Sequence, residues 1–238
     1  HVPALLLAMA WMFWVRMQRY SDFLQNGEVY YSGNDAWYHL RETSYIVRHF
    51  PSSLPYDIWT GFPVGTFEGQ FGTLYDQLIA LVALVIGLGA PSDQLVAKVL
   101  LVAPPVFGAL AVVPVYFIGK RFGDRIGGLF GVLLLALLPG LFLRRTLVGA
   151  ADHNAAEPFF MGLAMVGLFG AFAAAARTMP VWEVVREELA SRQLDTIKEP
   201  LVWSIAAGIL VGLFLWVWPP AVFLVGVVGL FVIVTVTS

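Results

Sequence analysis

Runs of about 20 mostly apolar residues recur along this chain, each long enough to carry a helix across a bilayer. They lie at about 3–18, 95–118, 126–143, 155–176, 201–217 and 220–236. Lipid offers no water to bond peptide groups, so a crossing segment must satisfy them internally, as a helix does. Pro219 and Pro220 separate the last two runs, because proline lacks a backbone donor and clashes with the preceding turn. Trp216 and Trp218 flank that break, as aromatic residues do at a membrane interface. Only 13% of residues are charged, against roughly 25% in a soluble domain. That is too little charge to cover a water-facing surface. The expected fold is therefore an all-α membrane protein with polytopic transmembrane helices. Cysteine is absent, which excludes disulfides, thiol catalysis and cysteine metal sites. No basic segment and cleavage site precede the first run, so no signal peptide is expected. Both ends fall at apolar runs and are expected to be cuts in a longer protein.

The stretch 72–89 is apolar enough to insert but follows a loop rich in glycine and proline. Charge decides its place. The link with Lys120, Arg121 and Arg125, and the 177–200 link with Arg177, Arg186, Arg192 and Lys198, should both be cytoplasmic by the positive-inside rule. Loop 19–71 is acidic on balance and reads as external. These assignments agree only if the helix near 72–89 does not span. Asp35 and Asp152 then share the outer face. The segment 181–194 has apolar residues at helical spacing and should rest on the inner surface.

Two polar clusters stand beside the apolar runs. One is Asn34-Asp35-Ala36-Trp37-Tyr38-His39-Leu40-Arg41; the other is Asp152-His153-Asn154, preceded by Arg144 and Arg145. Ionisable residues next to membrane segments are costly to keep and mark function by default. Mg²⁺ and Mn²⁺ prefer carboxylate and carbonyl oxygen. Asp35, Asp152 and the Asn154 carbonyl are the expected ligands, with His153 or His39 as additional donors. Glu157 lies on a first helical turn and is at most a supporting group. A cation there could neutralise a phosphate leaving group. Arg144 and Arg145 suit phosphate oxygens through the planar guanidinium. Blander readings stand beside these: Asp152 also fits a helix cap, and both arginines also fit headgroup anchors.

The two clusters resemble the acidic motifs of oligosaccharyltransferase catalytic subunits. Asn34 to Arg41 is similar to the first motif. Leu138-Pro139-Gly140, followed by Arg145 to Asn154, is similar to the second, in which the family places D-x-D, D-x-E or D-x-H. The Trp218-Pro219-Pro220 break matches too, and the arginine bias and acidic outer loop suggest the archaeal AglB branch, in a halophile. The resemblance implies a fold of the membrane glycosyltransferase C type and transfer of a glycan from dolichyl phosphate or diphosphate to asparagine in Asn-x-Ser/Thr. It implies Asp35 and Asp152 as catalytic groups, Asp35, Asp152 and Asn154 as ligands of Mn²⁺ or Mg²⁺, and Arg145, Arg144 and Arg41 at the lipid phosphate. Partners would be the lipid-linked donor, an acceptor polypeptide and membrane lipids, with no nucleic acid.

Residues 1–238 would then be the N-terminal part of the transmembrane catalytic domain, with about six spans and an external loop 19–94. Later helices and a C-terminal soluble domain would lie elsewhere, and the active site would face outside the cell membrane. Three departures stand out. Asn154 replaces an acidic residue or histidine. Gln70 stands where archaeal relatives often have histidine. Thr196-Ile197-Lys198-Glu199 mimics a third motif but falls in a cytoplasmic link, so it is rejected. Rival readings are a mannosyltransferase using a lipid phosphate sugar, which usually needs no second metal motif, and a transporter, which would show inverted repeats.

Overall fold

A computed structural model of the chain describes residues 1–67, 72–177 and 198–237. The helix expected at 181–194, together with Gln70 and the Thr196-Ile197 pair, lies outside the described residues. The remainder is a helical bundle capped at one end by an irregular loop layer.

Helix α1 (Val2–Met17) has a proline in its first turn, where a missing N–H costs nothing. It packs on α4 (Asp93–Leu110) and α5 (Val112–Leu137) through Met12, Ala109, Val112, Tyr116 and Val132. Ser92 caps α4 by accepting from the Leu95 amide at 3.2 Å. The chain passes from α4 into α5 through a helical Ala111, so the first long span runs on past Pro104 and Pro105. It ends where Gly123 and Asp124 leave helical geometry inside α5. The two halves of α5 fold back on each other. Gly119 lies against Gly127, Tyr116 against Gly128 and Val115 against Gly131, so one index falls as the other rises. A Cβ on Gly128 would sit 2.8 Å from the Tyr116 ring. Small residues here let the backbones approach, as at other membrane helix pairs.

The run expected at 126–143 is broken in the structure. α5 stops at Leu137, Pro139 follows, and Gly140 takes φ 96° before a short helix α6 (Leu141–Arg145). Proline and a left-handed glycine override the apolar pattern. α7 (Glu157–Arg177) and α8 (Lys198–Val217) form a close pair, with Gly167 against Ala207 and Gly170 against Trp203. α8 starts three residues earlier than expected. After the Trp218-Pro219-Pro220 break comes α9 (Val222–Thr237), whose apolar surface is largely exposed. Among the described residues, Asp93–Leu137, Glu157–Arg177 and Lys198–Val217 are long and apolar enough to cross a membrane, the first of them being the folded-back pair.

The loop layer holds two small antiparallel ribbons, β1 (Leu24–Gln25) with β2 (Glu28–Val29) and β3 (Tyr56–Asp57) with β4 (Thr66–Phe67). Asn26 and Gly27, both at positive φ, close the first ribbon. α2 (Asp35–His49) buries Ala36, His39, Glu42, Thr43 and Ile46 on one helical face. α3 (Leu74–Ile86) has 13 residues, about 20 Å at 1.5 Å per residue, short of the ~30 Å hydrocarbon core. Its start is held by the end of α8: Trp216 Nε1 donates to Thr73 Oγ1 at 2.9 Å, and Gly72 touches the Trp216 and Val217 carbonyls. Beyond its end, Asp93 of α4 meets Arg48 of α2 at 3.1 Å. Both ends of α3 thus sit among the loop elements.

Candidate metal centre

The site forms where α2 meets the turn leading into α7. Pro139 and Gly140 end the membrane run, and α6 carries the chain sideways to Thr146. Gly149 at φ 87° is covered so closely by Phe23 that a Cβ would lie 2.3 Å from its ring. The chain then extends, and Asp152 caps a short 3₁₀ turn, His153–Ala155. Asp152 accepts from the Asn154 amide at 3.2 Å, so the capping reading holds. The same carboxylate does more. Its Oδ1 lies 2.8 Å from His153 Nδ1 and 3.5 Å from His39 Nε2. His39 Nε2 and His153 Nδ1 are 3.3 Å apart.

These distances test whether a cation fits. Metal–ligand bonds of about 2.0–2.2 Å place neighbouring ligand atoms about 2.8–3.6 Å apart in octahedral or tetrahedral sites. All three separations, 2.8, 3.3 and 3.5 Å, fall in that range. Asp152, His39 and His153 therefore form a group able to hold one metal ion. Asp152 and His153 are partly exposed, and His39 is 1% exposed, so an ion would be reached from the Asp152 side.

Charge is arranged to suit. Burial of Asp152 works against its ionised form, but hydrogen bonds from His153, His39 and Asn154 outweigh burial and hold it well below the usual carboxylate range. Burial likewise favours neutral His39, but the Asp76 carboxylate and the hydrogen bonds to Asp152 and Asp76 raise it to about 10. A cation bound at Nε2 would displace the proton there. His153 Nε2 faces Glu157 Oε1 at 3.7 Å, so Glu157 supports the ring from behind.

This donor set differs from the one expected. Asp35 is exposed at the start of α2 and stands outside the cluster. It lies one turn before His39 on the same helical face, about 6 Å along the axis. Asn154 is a bridge: its carbonyl accepts from Arg145 Nη1 at 3.0 Å and its amide nitrogen donates to Asp152. Imidazoles take the donor positions because α2 brings His39 beneath the turn. Arg145 thus stands beside the site, and Arg144 is exposed next to it. Arg41 is turned to the other side of α2 and pairs with Asp57 and, at 3.4 Å, with Thr60.

Two functional groups escaped the sequence reading. Asp76, fully buried in α3, receives His39 Nδ1 at 2.9 and 3.0 Å. It is the one charged residue in that apolar helix, a signal that was available. Arg16, 2% exposed near the end of α1, donates from Nε to Thr146 at 2.7 Å and so fixes the turn that presents Arg145.

The family model described as "Oligosaccharyl transferase STT3, N-terminal" matches residues 3–238. The chain belongs to the STT3 oligosaccharyltransferase family. Among its curated relatives is the dolichyl-monophosphooligosaccharide–protein glycotransferase AglB of Haloferax volcanii, 54% identical over 238 residues, all of this chain and 22% of that protein. The dolichyl-phosphooligosaccharide-protein glycotransferase 3 of Archaeoglobus fulgidus is 28% identical over 186 residues, 78% of this chain and 20% of that one. This STT3 chain therefore spans about a fifth of the length of these relatives. Solved structures of the Archaeoglobus fulgidus oligosaccharyltransferase share the fold. The form tethered to an acceptor peptide containing the NVT sequon matches with TM-score 0.78 and 26% identity, over 97% of this chain and 26% of that chain. The complex with Zn and sulfate matches with TM-score 0.73 and 25% identity, over 92% and 25%. The STT3 fold is all-α and polytopic, as composition required.

Proposed function

We propose that this chain is the N-terminal part of the transmembrane catalytic domain of an oligosaccharyltransferase, a glycosyltransferase that moves a glycan from dolichyl phosphate or diphosphate to asparagine in Asn-x-Ser/Thr. The observation that carries this reading is the cluster of Asp152, His39 and His153, built by both acidic segments at one end of the helical bundle. Its place at a bundle end, rather than midway along the helices, argues against a transporter. The relatives act on, or are bound to, dolichyl-linked donors and sequon peptides by their own names.

In this reading, α3 lies in the outer membrane face, the bundle crosses the cell membrane about six times, and the site opens outside the cell. A bound cation would be held by Asp152, His39 and His153 and would supply charge to neutralise the departing phosphate. Two imidazoles disfavour Mg²⁺, which takes oxygen ligands, so Mn²⁺ is favoured of the two. Asp35, one turn from His39, would accept an N–H from the acceptor amide and loosen the delocalisation that makes its nitrogen a poor nucleophile. Arg145, tied to Asp152 through Asn154, would bind phosphate oxygens with its guanidinium.

The test is transfer of a lipid-linked glycan to a labelled Asn-x-Thr peptide by the full-length protein. Activity should vanish in EDTA and return with Mn²⁺. Undiminished transfer in EDTA would overturn the metal assignment, and no transfer with lipid extract from the source would overturn the reaction.

A further inference from the structure

We infer that Asp76 is the positioning residue that presents His39 to the metal centre, so that the helix α3 contributes a buried carboxylate to the site. This rests on the metal reading given above.

A histidine ring has two nitrogens, and only one can face the cluster. Which one does so is set by the partner of the other. Here His39 Nδ1 lies 2.9 and 3.0 Å from the two Asp76 oxygens. Both side chains are buried, at 1% and 0% exposure. Asp76 is itself held by Thr43, whose Oγ1 donates to Oδ1 at 3.1 Å from the next turn of α2. A carboxylate of this kind can only accept, so Nδ1 carries the hydrogen whether the ring is neutral or charged. Nε2 is left facing Asp152 Oδ1 and His153 Nδ1. The order carboxylate, imidazole, cation is the arrangement by which proteins orient a ligating histidine and raise its basicity.

The placement of Asp76 argues for a function beyond packing. It is the one charge in a 13-residue helix of otherwise uncharged residues, and its surroundings include Tyr75, Ile79 and Ala80, all nearly or fully buried. A carboxylate taken out of water is strongly disfavoured unless paired and hydrogen-bonded. A small apolar residue would join α2 to α3 without that cost. Trp216 and Thr73 in turn hold the start of α3 on the end of α8. The result is a chain of contacts from the bundle through α3 to the Nε2 face of His39.

Full-length protein carrying Asp76→Asn tests the inference. Mn²⁺ affinity is read from the free-ion electron paramagnetic resonance signal, and the donor set from the visible spectrum of the Co²⁺-loaded protein. Loss of a second-shell carboxylate typically weakens metal binding about 10–100-fold, so a loss of that size is expected, with a changed Co²⁺ spectrum. In a His39→Ala background Asp76→Asn should cause no further loss, because Asp76 acts through that ring. Should Asp76→Asn fail to fold, Thr43→Val reads the same effect, with a smaller loss in the same direction. Unchanged Mn²⁺ affinity, or equal losses with and without His39, would overturn the inference and leave Asp76 a packing contact. Wild-type protein that binds Mn²⁺ but transfers no glycan would overturn the proposed reaction alone. Wild-type protein that binds no cation would overturn both.

Discussion

Thr146 shows how much one hydroxyl can organise. Its Oγ1 accepts from Arg16 Nε at 2.7 Å and donates to the Phe142 carbonyl at 2.7 Å. Thr146→Val keeps the volume and leaves the buried guanidinium short of a partner, which costs about 1–3 kcal/mol. Thermal unfolding of the full-length protein should show a lower midpoint, and an unchanged one would remove Arg16 as a support of the Arg145 turn. Asp57 carries a second residue-scale expectation. Burial works against its charge, but bonds from Arg41, Thr60 and the Trp59 amide outweigh that and lower its pKa. A depressed carboxylate stabilises above its unfolded value, about 3.9, and the gain is lost as pH falls through the folded value. Protease resistance of the 56–67 ribbon should therefore drop below about pH 4, and Asp57→Asn should remove that acid step. At this scale the sequence showed Asp152, His39 and His153 as candidates. It could not show that Asp76, distant along the chain, lies behind His39, because only tertiary packing joins them.

Among the elements, α5 is the least like its sequence pattern. The basic link around Lys120, Arg121 and Arg125 was legible as a boundary, and the turn at Gly123 and Asp124 falls inside it. The glycine faces that close the two halves were not legible, since an apolar run reads the same whichever face packs. Gly128→Val would drive a branched side chain into the Tyr116 ring, 2.8 Å from where its Cβ would lie. Such overpacking costs typically about 1–3 kcal/mol, so the unfolding midpoint should fall. Gly226→Val on α9, where nothing lies within 4 Å of the added Cβ, should leave it nearly unchanged.

For the whole molecule the decisive question is which side each end faces. α3 was expected not to span from charge alone, and its length and anchored ends support that arrangement. The absence of cysteine in this region makes labelling direct. Leu88→Cys, at a position 94% exposed just after α3, should react with an impermeant maleimide from outside in intact cells. Asp124→Cys in the α5 turn should react only after the membrane is opened. The reverse pattern would place α3 across the bilayer and separate Asp35 from the proposed outer site.

Length and apolarity of the runs determined by themselves that the chain is helical and crosses a membrane, since lipid leaves backbone groups no other partner. The polar clusters, too costly to keep beside lipid without a function, were also visible in one dimension. Only the tertiary structure decided which atoms meet. Helix α2 turns His39 inward beneath the Asp152 turn, Asn154 is drawn off to Arg145, and Asp76 closes on His39 from a helix that reads in sequence as plain apolar. Donor distances depend on how helices pack, and spacing along the chain does not encode that.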